Sequence, residues 1–75
     1  MKRGRPRTFE LTQAQREVMD LAALGKTRVE MAMILHVSEP AVKSRMEVAK
    51  RKLGASNTTL AVARYVKEKI KEVGS

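Results

Sequence analysis

Residues 38–54 read SEPAVKSRMEVAKRKLG. This stretch predicts a helix that the rest of the chain supports and presents. Ser38 can cap a helix with its hydroxyl, and Pro40 is tolerated in a first turn because the missing N–H has no helical acceptor there. Gly54 is typical of the position just past a helix C-terminus. Apolar residues recur between them at helical spacing and predict one narrow buried stripe: Val42, Met46, Ala49 and Leu53.

The other side of this predicted helix is basic. It carries Lys43, Ser44, Glu47, Lys50 and Arg51, with Arg45 and Lys52 on the flank. A helix of this kind can pack its apolar stripe on a small core and place its polar side in a DNA major groove. A solvated amphipathic helix gives the same pattern, because charge on a helix face commonly reflects solvation alone. The helix by itself leaves both interpretations open.

Length and charge limit the classes of function. The 75 residues give one domain with a small core, and 43% hydrophobic but only 3% aromatic residues suit packed helices better than a sheet. A net charge of +8 favours a polyanionic partner, nucleic acid first and an anionic membrane surface second. No apolar run approaches the roughly 20 residues of a membrane span, and no secretory signal is present. The lack of cysteine excludes disulfides and thiolate metal sites and fits a cytoplasmic protein, which as a DNA-binding protein would be nucleoid-associated.

A basic arm, residues 1–10, precedes the domain predicted over residues 11–75. Its first eight residues, MKRGRPRT, hold four basic residues and no acid, which predicts a disordered segment in the free protein. The centre resembles an AT-hook, a motif of the A·T-rich minor groove, and consists of Arg3, Gly4, Arg5, Pro6 and Arg7. Glycine permits close approach, proline restricts the chain, and a narrow groove attracts arginine. A basic tail that only touches phosphates is the alternative.

Two capped helices are predicted ahead of the basic helix. Thr12 and Thr27 begin the capping boxes T-x-x-Q and T-x-x-E, and open helices predicted over residues 13–24 and 28–35. Their expected core residues are Val18, Leu21 and Ala22 in the first, and Met31, Ala32 and Leu35 in the second. A tight turn at residues 36–37 then leads into the basic helix. This order and spacing predict a helix-turn-helix.

Residues 11 to about 66 resemble the DNA-binding domain of the LuxR/GerE family of bacterial transcription regulators. The motifs that carry the resemblance are, in order, Leu11-Thr12 with Arg16-Glu17-Val18, Ala23-Leu24-Gly25-Lys26-Thr27, Glu30-Met31-Ala32 with Leu35, Val37-Ser38-Glu39, Val42-Lys43, Lys52-Leu53-Gly54, and Ser56-Asn57 with Ala61-Val62. The resemblance implies an all-α, four-helix domain that binds DNA through its third helix and often dimerises through its fourth. The chain departs from the family pattern at Ala41, Arg45 and Thr58. The segment Val42-Lys43-Ser44-Arg45-Met46 is instead similar to the last helix-turn-helix domain of RNA polymerase sigma factors.

The resemblance implies base contacts from Lys43, Ser44 and Glu47, and helix geometry selects the same positions and adds Arg51. Lysine can donate to guanine O6 and N7, and glutamate can accept from cytosine N4. For Glu47 the alternative is a solvated carboxylate that only discourages wrong sites. Phosphate contacts are expected from basic residues of the third helix and from earlier helix starts, namely Arg45, Lys50, Lys52, Thr12, Lys26 and Thr27.

A fourth helix, predicted over about residues 58–73, has more apolar residues than one small core needs. Ala61, Val62 and Tyr65 can face inward, whereas a partly different face carries Leu60, Ala63, Val66 and Ile70. A homodimer through that second face would explain it and would require a two-fold related operator. A single wide core face is the alternative. The second helix also has unexplained apolar residues, open to a protein partner, a second protomer or Phe9: Val29, Met33 and Ile34.

Together these features predict a sequence-specific, double-stranded DNA-binding transcription regulator that acts as a stand-alone repressor. Helix 38–53 would read the major groove and the arm the minor groove. The alternatives are an architectural A·T-rich DNA-binding protein and a sigma-like module that contacts RNA polymerase. An enzyme, a cofactor or a metal site is not expected, because the sequence has no nucleophile–base pair or phosphate-gripping loop, and its one histidine, His36, lies in a turn.

Overall fold

The computed structural model describes residues 10–74, and the side chains of residues 10–70. In this part the chain forms four helices and no strand: α1 (Gln13–Ala23), α2 (Arg28–Leu35), α3 (Glu39–Lys52) and α4 (Thr58–Gly74). The predicted all-α, four-helix architecture is therefore confirmed, and the predicted helix bounds agree closely. The AT-hook-like residues of the predicted arm lie outside the described residues.

The first two helices begin with the capping boxes that their sequences predict. In α1 the Thr12 hydroxyl accepts from the Gln15 N–H at 3.2 Å, and the Gln15 side chain accepts from the Thr12 N–H at 2.9 Å. Thr27 and Glu30 repeat this exchange at 3.1 and 2.8 Å. The backbone N–H of Thr27 lowers the pKa of the Glu30 carboxyl below its ordinary value. This cap therefore contributes stability above the unfolded pKa and loses it as the pH falls through the folded pKa.

Polar side chains also cap α3 and α4. The Ser38 hydroxyl accepts from the Ala41 N–H at 3.2 Å, as predicted for the start of α3. Asn57 does the same for α4, where its side-chain oxygen accepts from the Leu60 N–H at 2.8 Å. Between α2 and α3, His36 adopts a left-handed backbone with φ of 59°, which produces the predicted tight turn.

The core lies around α3, which packs against all three other helices. Its buried residues are Leu11, Val18, Met19, Met31, Ala32, Val42, Met46, Ala49, Leu53, Ala61 and Tyr65. The stripe predicted for α3 is thus buried in full. Other predicted core residues, Leu21, Ala22, Leu35 and Val62, are only partly buried and pack against its edge. Two core residues were missed, Leu11 and the fully buried Met19.

A polar contact joins α1 to α4 beside this core. The buried Tyr65 donates its hydroxyl to Asp20 Oδ1 at 2.6 Å, and the Lys69 ammonium lies 3.2 Å from the same oxygen. Lys69 also lies 5.6 Å from the centre of the Tyr65 ring. These contacts hold α4 against α1.

The C-terminus of α3 is closed by a Schellman motif and by α4. The Ala55 N–H donates to Lys50 O at 2.9 Å, and the Gly54 N–H donates to Arg51 O at 3.1 Å. Gly54 has φ of +67°, the left-handed conformation that this motif requires. Arg64 of α4 donates to Leu53 O at 2.9 Å and to Gly54 O at 2.8 Å. The end of α3 is therefore fixed by a side chain from the next helix.

We expect Gly54→Ala to lower the free energy of unfolding by about 1–2 kcal/mol, because a side chain disfavours the left-handed backbone. A Cβ at this position would also lie 3.0 Å from Arg64 Nη1 and would displace it from the carbonyls that it caps. Gly25→Ala is the matched control, since its φ is +83° but nothing lies within 4 Å of the added Cβ. Urea unfolding of both variants measures the difference. An equal or larger loss in Gly25→Ala would contradict the role assigned to Arg64.

Candidate nucleic-acid interface

The outer side of α3 presents all four predicted base-contact residues to solvent: Lys43, Ser44, Glu47 and Arg51 are exposed. At about 100° per residue, Ser44 and Arg51 lie most nearly opposite the buried stripe, and Lys43 and Glu47 lie toward one flank. Because the other three helices pack on the opposite side, nothing in the described domain prevents this surface from entering a groove. Their exposure is confirmed, and base contact remains a prediction.

Glu47 has a partner within α3. The Lys50 ammonium lies 3.1 Å from Glu47 Oε2, with the two side chains 20% and 50% exposed. The Glu47 carboxylate is half-exposed, and ion pairs that reach solvent contribute little stability. Lys50 can therefore leave Glu47 for a phosphate, and this leaves the Glu47 carboxylate available as an acceptor beside the bases.

A groove of about 310 Å³ follows the Lys43–Lys50 side of α3. Its floor includes Met31, Val42 and Met46 from the core edge, and its rim carries Lys26, Arg28, Lys43 and Lys50. Glu47 lines the same groove, so four cations stand against one carboxylate, and this excess of positive charge attracts a polyanion. Sequence reasoning missed Arg28, although the run Lys26-Thr27-Arg28 at the start of α2 was a usable signal.

The opposite flank of α3 carries Arg45 and Lys52, which lie about half a turn away from Lys43 and Lys50. The Lys52 ammonium donates to Gln15 Oε1 at 3.0 Å and to Glu10 O at 3.3 Å. Lys52 is thus placed beside the start of α1. The structure brings this predicted phosphate contact together with Thr12, through their shared partner Gln15.

The predicted phosphate contacts therefore form two separate groups. Lys26 and Thr27 follow the C-terminus of α1, whereas Thr12 precedes its N-terminus. Eleven residues of helix separate the two groups, a length of about 16 Å at 1.5 Å per residue. α3 thus has basic or polar residues on both flanks.

The predicted dimer face on α4 is divided between core and surface. Leu60 and Val66 are half-buried within the domain, Ala63 is exposed, and Ile70 is 64% exposed. Val66 and Ile70 line an apolar groove of about 590 Å³. Its other wall includes Ala23 of α1 and the next residue, Leu24, which is 72% exposed. Sequence reasoning missed Leu24, because it had been assigned only to the end of α1.

A second apolar surface lies on α2, where Val29, Met33 and Ile34 are 49%, 65% and 48% exposed. None of the described helices covers it. Among those helices, none combines the length and apolar character required to cross a bilayer.

Comparison with known proteins assigns this architecture. The family model GerE, described as bacterial regulatory proteins of the luxR family, matches residues 10–65. The chain belongs to the LuxR family of bacterial regulatory proteins. The resemblance inferred from its motifs is therefore confirmed. The LuxR match covers α1, α2 and α3 in full and the first part of α4. The exposed side of α3 therefore belongs to a DNA-binding helix-turn-helix domain, and the proteins of this family are transcription regulators.

Two curated LuxR-type relatives are similar over most of the chain. It is 42% identical over 60 residues to the "Transcriptional activator protein BjaR1" of Bradyrhizobium diazoefficiens, covering 80% of this chain and 25% of that protein. It is also 42% identical over 65 residues to the "HTH-type quorum sensing-dependent transcriptional regulator RpaR" of Rhodopseudomonas palustris, covering 85% of this chain and 27% of that protein. The chain thus spans about a quarter of the length of these relatives. No solved structure matches it at a significant level.

Proposed function

We propose that this LuxR-family domain reads specific double-stranded DNA by placing the exposed side of α3 in the major groove. The observation that carries the proposal is the division of α3, whose apolar stripe is buried while Lys43, Ser44, Glu47 and Arg51 are exposed. Lys43 would donate to guanine, Glu47 would accept from cytosine, and Ser44 and Arg51 would complete the base contacts. A net charge of +8 supplies the general attraction to DNA.

The two flanks of α3 would contact the two phosphate strands that border the major groove. One flank uses the groove cations, Lys26, Arg28 and Lys50, together with the Thr27 hydroxyl. The other uses Arg45 and Thr12, beside Lys52, whose ammonium is held by Gln15 and the Glu10 carbonyl. Phosphate contacts position the helix without specifying sequence, so the two groups set its register while α3 reads bases.

The arm and α4 extend this interface in the proposal. Arg3, Arg5 and Arg7, with Gly4 and Pro6, would follow an A·T-rich minor groove beside the major-groove site. A homodimer through the exposed part of Leu60, Ala63, Val66 and Ile70 would place two copies on a two-fold related operator. Occupancy of such an operator, on the nucleoid in the cytoplasm, would exclude polymerase and repress transcription.

Selection of a binding site from a random DNA library tests the proposal directly. The selected duplex and a scrambled duplex of equal length are then compared at one salt concentration, because affinity without the salt concentration has no meaning. We expect at least about a 1,000-fold preference for the selected site, the lower end for specific DNA-binding proteins. A ratio of the two affinities near one would reject the sequence-specific function and favour the architectural one. A site without two-fold symmetry would argue against the homodimer.

We expect Lys43→Ala to weaken binding to the selected site by about 1–3 kcal/mol and to relax the preference at one base pair. The expected cause is the loss of a donor to guanine, which leaves other positions of the site unchanged. Lys67→Ala, which removes the same charge from the exposed surface of α4, is the matched control. Fluorescence anisotropy on a panel of single-base variants gives the measurement. Equal weakening over all sequences would instead make Lys43 a phosphate contact.

A protein contact is the second candidate function, and the exposed Val29, Met33 and Ile34 of α2 favour it. RNA polymerase is the proposed partner, as for a sigma-like module. Capture of purified polymerase in the absence of DNA tests this function. Capture that survives Lys43→Ala but is lost in Met33→Ser would support it, and no capture by the unmodified protein would remove it.

A further inference from the structure

Three contacts fix the point at which the chain enters the folded domain. Leu11 is buried, and its carbonyl accepts from Arg16 Nη1 at 2.8 Å. One residue earlier, the Glu10 carbonyl accepts from Lys52 Nζ at 3.3 Å across 42 residues of sequence. The same ammonium donates at 3.0 Å to Gln15, whose side chain also caps α1. The end of α3 and the start of α1 are thus joined at the root of the arm.

The backbone at Glu10 shows that this root has a defined direction. Its φ is 61°, a left-handed conformation that is unfavourable for a residue with a side chain. Such conformations persist where surrounding contacts determine them. Here the buried Leu11 holds one side of the turn, and Lys52 holds the Glu10 carbonyl.

We propose that Lys52 is a positioning residue, which ties the root of the arm to the C-terminal end of α3. By doing so it determines on which side of the major-groove site the arm crosses to the minor groove. The inference rests on the proposed function, in which α3 reads the major groove and the arm the adjacent minor groove. It gives Lys52 a role different from the phosphate contact that its charge alone predicts.

The position of Lys52 selects that side. Lys52 lies on the same flank of α3 as Arg45, opposite the flank that carries Lys50 and the basic groove. Each strand of a duplex has the major groove on one side and the minor groove on the other. An arm rooted on the Lys52 flank therefore crosses one strand to reach a minor groove. Residues 1–9 can span up to about 30 Å at 3.3–3.6 Å per residue, which exceeds the minor-groove width of about 6 Å.

Directing the arm affects binding because an oriented segment loses less conformational freedom when it binds. Without the Lys52 contact, the arm would leave over a wider range of directions and would reach the minor groove on that side less often. The expected consequence is a preference for A·T pairs on one side of each α3 site, which depends on Lys52.

The test compares Lys52→Met in the full chain and in a protein that lacks residues 1–7. In the full chain we expect about two- to tenfold weaker binding, the effect of losing one or two hydrogen bonds, and loss of the flanking A·T preference. Without the arm we expect the same substitution to change affinity less than about twofold. Lys52→Arg, which keeps a charged donor, should retain the A·T preference. Urea unfolding of each variant checks that the fold remains intact, which we expect because Lys52 is exposed.

Lys50→Met is the matched control, because it removes one lysine of α3 from the opposite flank and should weaken both proteins equally. Equal weakening by Lys52→Met in both backgrounds, or no effect in either, would overturn the positioning role. A salt dependence reduced by about one charge in both would identify Lys52 as a phosphate contact. If deletion of residues 1–7 by itself changes neither affinity nor A·T preference, the proposed function of the arm fails instead.

Discussion

Deletion of residues 1–7 is expected to cause the largest loss of DNA affinity of any change considered for this protein. The segment carries four cations, Lys2, Arg3, Arg5 and Arg7. Each phosphate contact on a duplex contributes about −0.9 to the slope of log affinity against log salt, so four contacts contribute about −3.6. Between about 50 and 200 mM salt, the full chain should therefore lose about 100-fold more affinity than the shortened one. Titrations at several salt concentrations give both slopes.

A charge-preserving variant separates groove insertion from simple attraction in this segment. Replacement of Arg3, Arg5 and Arg7 by lysine retains every charge but removes the planar guanidinium groups. The lysine ammonium lacks their flat shape and their fixed arrangement of donors. We expect the salt slope to remain and the preference for A·T flanks to disappear. Retention of that preference would show that the guanidinium groups do not read the A·T flank. No A·T preference in the unmodified chain would show that the arm acts as a basic tail, and an unchanged slope after deletion would show that it does not contact DNA.

Met19→Ala is expected to have the largest effect on folding. Met19 is 0% exposed, and truncation of a buried methionine costs about 2–5 kcal/mol through lost burial and the remaining cavity. Native domains have only about 5–15 kcal/mol of stability, so this loss brings a small domain close to unfolding. The midpoint of thermal unfolding should fall by about 4–8 °C for each kcal/mol.

Met33→Ala provides the control for this prediction, since it is the same substitution at a residue that is 65% exposed. We expect it to change the free energy of unfolding by no more than about 0.5 kcal/mol. Circular dichroism during thermal and urea unfolding compares the two. A cost below about 1 kcal/mol for Met19→Ala would mean that the core around α1 closes over the missing side chain.

Met19 also shows where sequence reasoning about the fold ends. The α3 stripe and the three predicted caps depend on neighbours in sequence, so their spacing was sufficient to predict them. On α1, however, Val18 and Met19 are adjacent and both fully buried, because α1 packs against α3 and also against α4. A second neighbouring helix widens the buried face beyond one stripe. Helical periodicity does not show how many neighbours a helix has.

The same limit applies to the candidate site. Exposure of Lys43, Ser44, Glu47 and Arg51 followed from their positions relative to the α3 stripe. For Lys52, periodicity predicts a flank position but not its partners, which lie 37 and 42 residues away in Gln15 and Glu10. For Arg28 the run of basic residues at the start of α2 indicated a positive charge, but the groove that gives this charge a role forms only when α2 and α3 pack together.

The contact between Arg64 and the last carbonyls of α3 has a consequence for control. Arg64 belongs to α4, the helix whose outer side carries Val66 and Ile70, yet its guanidinium caps Leu53 and Gly54 at the end of α3. A partner that binds α4 and shifts Arg64 would remove its hydrogen bonds to the end of α3. The free energy of α3 in its present position would then rise relative to other positions. Thermodynamic linkage then requires reciprocity, so DNA bound by α3 would change the affinity of α4 for that partner by the same factor.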